Sequence, residues 1–144
     1  YAEAHCHFGF FLTKMADQRF PKSERLCSQK IIASLFDEAK NFYVKGYRVM
    51  WNFCPLPADV PAQIAFSAPK KIYRSAVKRN LVKRKMREAY RKDKQRLFDK
   101  LSSIDKQMAI MIVSLDKQLP SYSEVQNAMT VMIDILVKNA SENI

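Results

Sequence analysis

Residues 63–71 read Gln63-Ile64-Ala65-Phe66-Ser67-Ala68-Pro69-Lys70-Lys71, and the chain then runs Ala76-Val77-Lys78-Arg79-Asn80-Leu81-Val82-Lys83-Arg84-Lys85-Met86-Arg87-Glu88-Ala89-Tyr90-Arg91. The first piece is a short strand over 63–68, closed by Pro69, which has no N–H to give a ladder. No proline or glycine interrupts residues 73–101, so the spacing predicts a single long helix there. At 100° per residue, Val82, Met86, Ala89, Tyr90 and Leu97 fall in one stripe that must pack on a sheet. Lys83, Arg84, Arg87, Arg91 and Lys94 form a contiguous cationic face beside it, while Lys78, Lys85, Lys92 and Arg96 gather on another flank. Like charges along a helix face repel by a few tenths of a kcal/mol per adjacent pair. A sequence selected only for helix stability would interleave Glu, so this face reads as a ridge for phosphates.

Outward from the helix, the other elements follow from pattern. Residues 41–53 are β-branched and aromatic, with Tyr47, Val49, Trp51 and Phe53 on one face and Arg48, Met50 and Asn52 on the other; Gly46 marks a bulge or bend. Pro55, Pro57 and Pro61 make the next piece a loop. Residues 106–115 are a continuous apolar run, as for a strand buried on both faces. Ser28 is a helix N-cap before Ile31, Ile32, Leu35 and Phe36. Ser121 with Glu124 is a capping box opening a last helix striped by Val125, Met129, Met132, Ile133 and Leu136. The order α-β-β-α-β-α suits an α/β sandwich, helices packed on one sheet. Residues 1–19 are expected to be a flexible N-terminal extension, unlike the rest in pattern, and residues 20–144 a single domain.

The 144 residues are one domain's length, and the formal charge is +11 from 25 Lys and Arg against 14 Asp and Glu. Residues 70–96 hold thirteen of the cations and two of the acids; the rest of the chain, with twelve of each, is neutral. A 27-residue block carrying the whole excess points to a polyanion, nucleic acid first and an anionic membrane surface second. Single strands are held by stacking as well as charge, which makes Phe36, Tyr47 and Trp51 candidate platforms. Catalytic chemistry is missing. The two histidines, His5 and His7, lie in the extension, the acids show no paired spacing, and two glycines leave no phosphate-cradling loop. His5-Cys6-His7 lacks a second ligand pair, so no metal site is expected on the protein. Cys6, Cys27 and Cys54, without a CxxC pair, read as free buried thiols of a reducing cytoplasm. No apolar run reaches the roughly 18 residues of a membrane span.

The segments 65–71 and 76–91 together, with Arg25-Leu26 before a helix ending Leu35-Phe36, resemble the signature of the bacterial ribonuclease P protein component. The resemblance spans residues 20–138. It implies an α+β sandwich, a mixed four-stranded sheet packed by three helices, with a left-handed β-α-β crossover around the long basic helix. It implies as partners the catalytic RNA of ribonuclease P and precursor tRNA, whose 5′ leader that RNA removes with magnesium, bound mainly by the RNA. The protein would be a cytoplasmic accessory subunit, monomeric apart from the RNA, with no catalytic residues of its own and no membrane contact. The family's Arg-Asn-Arg motif falls on Arg79, Asn80 and Leu81, so the third position departs from it. Lys70, Lys71, Lys78, Lys83, Arg84, Arg87 and Arg91 complete the expected RNA-binding set. Phe36, Ile32, Tyr47 and Trp51 are the expected leader cleft, with Trp51→Ala predicted to weaken only leader-bearing substrates. A structural RNA-binding protein of ribosomal type is the alternative.

Overall fold

The computed structural model describes residues 20–142. The expected extension and its His5-Cys6-His7 run lie outside them. In chain order the elements are a 3-10 turn (Lys22–Glu24), α1 (Gln29–Glu38), β1 (Lys40–Val44), β2 (Tyr47–Phe53), β3 (Ala62–Ser67), α2 (Ala76–Asp93), α3 (Gln95–Ser103), β4 (Met108–Ser114) and α4 (Tyr122–Glu142). Capping oxygens open three of the four helices. Ser28 Oγ accepts from the Ile31 N–H at 3.4 Å and Ser75 Oγ from the Lys78 N–H at 3.4 Å. Ser121 and Glu124 bond reciprocally at 3.0 and 3.3 Å, the capping box that the sequence predicts.

The region expected as one strand is a hairpin. Lys45 and Gly46 both have positive φ, 38° and 86°, the two-residue turn whose twist matches paired strands. A Cβ on Gly46 would also stand 3.2 Å from Asp116 Cβ, so glycine is needed there twice over. The sheet order is β1-β2-β4-β3, with β1–β2 and β2–β4 antiparallel and β3–β4 parallel. A parallel pair needs a crossover, and α2 and α3 supply it. All seven residues of β4 are buried, as the unbroken apolar run requires.

Strand alternation divides the core. On one face Tyr47, Val49, Trp51, Ile64, Ile110 and Ile112 pack with Val82, Met86, Ala89 and Tyr90 of α2, Leu97 and Leu101 of α3, and the apolar stripe of α4. On the other, Met50, Ala109, Met111 and Val113 meet Leu35 and the half-buried Ile31 and Ile32 of α1. Each fully buried aliphatic or Met side chain contributes roughly 1.5–3 kcal/mol. The α2 stripe therefore outweighs the repulsion among that helix's cations, and α2 forms despite its charge.

The long helix is interrupted, giving four helices in place of three. The interruption falls at Lys94, whose backbone stays right-handed (φ −63°, ψ −21°) and keeps the Lys94 N–H to Tyr90 O bond at 2.8 Å. Its side chain is drawn into the protein to meet Glu24, Nζ to Oε1 2.5 Å, with 3% and 7% of the two side chains exposed. The helical wheel places Lys94 on the phosphate ridge. Ion pairing with a residue seventy positions away puts it inside instead. Of the described cysteines, Cys54 is half-buried and Cys27 is exposed rather than buried; both are free thiols.

Candidate nucleic-acid interface

Among the described residues four cations of α2 remain uncommitted, Lys78 in its first turn and the group Lys83, Arg84 and Arg87. Lys83, Arg84 and Arg87, spaced to share one side of the helix, make no hydrogen bond or ion pair with other described residues. Lys83 is half-buried, and Arg84 and Arg87 are exposed. One turn on, Arg91 is closed by Glu88 in a two-pronged pair, Nε to Oε2 3.2 Å and Nη2 to Oε1 2.6 Å. That hydrogen bond holds the Glu88 carboxyl below its ordinary range. Lys70, Lys71 and Lys78 project from the loop before α2 and from its first turn, all exposed, as is Asn80.

Most of the second basic flank is spent inside the molecule. Lys85 Nζ donates to Pro120 O at 2.6 Å, Lys92 lies 5.6 Å from the Tyr122 ring centroid, and Arg96 pairs with both Asp93 and Asp134. These contacts tie α2 and the start of α3 to α4. Arg79 is also partly structural: its Nη1 donates to Tyr73 O at 2.8 Å and Arg74 O at 3.0 Å, fastening the Lys70–Lys71 loop to the helix. Leu81 is partly exposed on α2, an apolar side chain that offers no phosphate contact.

The aromatic expectation needs a correction. Trp51 is 2% and Tyr47 3% exposed, both within the core beneath α2–α4. The Trp51 ring meets Phe53 edge-on at 5.4 Å. Burial, with Tyr73, Asp116 and Glu124 nearby, pushes the Tyr47 phenol up to about 12. Neither ring can receive a base. They share a face, as alternation predicts, but it is the face away from α1. Phe36, at 55% exposure near the end of α1, does present its ring, and Ile32 is half-buried on the α1 side.

On the α1 side of the sheet, one cross-strand row runs Tyr43, Arg48, Val113, Ser67. Tyr43 is 66% exposed. Arg48 is half-buried, and its Nε has no hydrogen-bond partner among the described residues. Neither was singled out from the sequence. Recognising Lys45-Gly46 as a hairpin turn would have placed Tyr43 opposite Arg48.

An α+β sandwich with a row of uncompensated cations on its longest basic helix is a polyanion-binding module. The chain belongs to the ribonuclease P protein family, whose sequence profile, Ribonuclease P, matches residues 20–137. It is 36% identical over 118 residues to the ribonuclease P protein component of Porphyromonas gingivalis strain ATCC 33277, covering 82% of this chain and 86% of that one. To the ribonuclease P protein component of Chlorobium phaeobacteroides it is 36% identical over 113 residues, covering 70% and 76%. The fold is that of the Staphylococcus aureus RNase P protein (TM-score 0.61, 17% identity, 79% of this chain and 95% of that one). It is equally that of the Thermotoga maritima RNase P protein (TM-score 0.59, 19% identity, 80% and 96%).

Proposed function

We propose that the chain is the protein subunit that binds the catalytic RNA of ribonuclease P and the 5′ leader of precursor tRNA. The observation that carries this reading is the Lys83–Arg84–Arg87 group, cations with no hydrogen-bond or ion-pair partner among the described residues, on a helix whose C-terminal end is closed by ion pairs. Phosphates of the catalytic RNA lie along that side of α2, with Lys70, Lys71, Lys78 and Asn80 extending the contact; such contacts position an RNA without reading its sequence. The unpaired leader lies on the α1 side, against Phe36 and Ile32, with Tyr43 and Arg48 of the sheet in place of Tyr47 and Trp51. Exposed rings select an unpaired strand because a base must leave its stack to lie on them.

Magnesium ions, when bound, would supply the activation of water for phosphodiester hydrolysis. The carboxylates around α2 are committed elsewhere, Glu24 to Lys94, Glu88 to Arg91, Asp93 and Asp134 to Arg96. Among the described residues no three of His, Cys, Asp and Glu gather to hold a metal ion. In this reading the RNA holds the magnesium, and the cations of α2 lower the concentration it needs by neutralising phosphates. No helix among the described residues is long and apolar enough to cross a membrane. The test is precursor-tRNA cleavage by bacterial ribonuclease P RNA at low magnesium. Cleavage at the mature 5′ end with RNA and protein together, and none with protein alone, is the expected result. Salt-sensitive RNA binding without stimulation would favour a ribosomal-type binder.

A further inference from the structure

A cleft of about 440 Å³ opens beside the free cations of α2. Phe20, Arg25 and Leu26 form one wall, Ile64, Ala65 and Phe66 of the edge strand β3 the floor, and Lys83 and Arg87 the other wall. Its volume lies within the roughly 300–1,000 Å³ of small-ligand sites, enough for one nucleotide. Three cations and no carboxylate line it. Lys83 and Arg87, one helical turn apart, have no partner among the described residues, which suits them to a single phosphate group.

The opposite wall is built differently. Arg25 Nη2 donates to Phe20 O at 3.3 Å, and the guanidinium carbon lies 5.6 Å from the Phe20 ring centroid. Phe20 is held by edge-on contacts with Phe66 and Tyr90, centroids 6.0 and 5.8 Å away. The Arg25 guanidinium is thus a positioned flat surface, exposed on its far side, of the kind on which unpaired bases stack. The β3 edge adds hydrogen-bonding capacity. Leu26 N–H bonds Ile64 O at 3.0 Å, after which the chain turns away into α1. Strand alternation therefore leaves the N–H and C=O of Phe66 facing outward, with no strand among the described residues to pair them.

We propose that this cleft receives one unstacked nucleotide of the RNA lying along α2, its phosphate between Lys83 and Arg87, its base on Arg25 and against the β3 edge. The inference rests on the RNA-binding reading above and adds a pocket to it. The full chain would be titrated with UMP, AMP and ribose 5-phosphate while its backbone amides are followed by NMR. The expected result is movement of the Leu26, Ile64 and Phe66 amides, with both nucleotides bound about tenfold more tightly than the sugar phosphate. Arg25→Ala removes that difference, so that the two nucleotides bind no more tightly than ribose 5-phosphate. Equal affinities for nucleotide and sugar phosphate in the unaltered chain would overturn the pocket, as would shifts confined to the Tyr43–Arg48 row. Precursor-tRNA cleavage is read on the same preparation, so a failed pocket with intact stimulation leaves the RNA-binding reading standing. In the assembled complex Arg25→Ala should weaken binding of the catalytic RNA. A loss confined to leader-bearing substrate would overturn the assignment to the RNA along α2.

Discussion

In the middle of α2, Lys83, Arg84 and Arg87 have no carboxylate or carbonyl partner among the described residues. From Arg91 on, the same residue types are closed: Arg91 by Glu88, Lys94 by Glu24, Arg96 by Asp93 and Asp134. Both regions belong to one basic run with a net charge of +11. The first keeps its charge for a ligand, and the second spends it on holding α2 and α3 in place. A cation count therefore measures a binding surface only after the internally paired residues have been removed.

The largest effect expected from breaking this contrast is at the closed end. Lys94→Ala leaves Glu24 buried without its cation and should cost about 3–5 kcal/mol in urea unfolding. Combining Lys94→Met with Glu24→Met should restore most of that loss. Neither change should alter the salt dependence of RNA binding. Trp51→Ala should also destabilise by about 3–5 kcal/mol, as for a large core side chain. It should weaken leader-bearing and leaderless tRNA alike, the reverse of what a stacking platform would give. By contrast, Phe36→Ala and Tyr43→Ala should leave the urea midpoint almost unmoved. Each should lose about 1–3 kcal/mol of affinity, seen only with substrates that carry a leader.

At the open end, Arg87→Ala should lower the slope of log affinity against log salt by about 1, and Arg96→Ala should leave it alone. An unchanged slope in the first variant would remove Arg87 from the interface. The smallest effect sharpens the comparison from the other side. Glu88→Gln releases Arg91, and the slope should steepen by a fraction of a unit. Acid should act in the same direction. The Glu88 carboxyl is depressed in the folded chain by its bond to Arg91. Its contribution to stability is thus present above the unfolded pKa and lost as pH falls through the folded one. Because the pair is exposed, this contribution is small.

Much of the architecture was legible because it rests on neighbours in sequence. The caps at Ser28 and Ser121, the buried β4 run and the α2 stripe each depend on residues within a turn or two. The signature over 65–71 and 76–91 was equally plain. The hairpin at Lys45-Gly46 was within reach too, but Gly46 was read as a bend inside a strand rather than as its end. Only a hairpin sets Tyr43 opposite Arg48.

The sequence by itself determined where the charge is concentrated, which residues share a strand or helix face, and the family to which these patterns belong. Only the tertiary structure decided which face of β2 lies under α2–α4, and so that Tyr47 and Trp51 are core while Tyr43 stays open. It likewise decided which cations keep their charge free, through partners as remote as Glu24 for Lys94 and Asp134 for Arg96. The physical reason is range. Periodicity and capping are set by the bonded neighbours of each residue, whereas burial and ion pairing depend on whatever the packed sheet and helices bring alongside it.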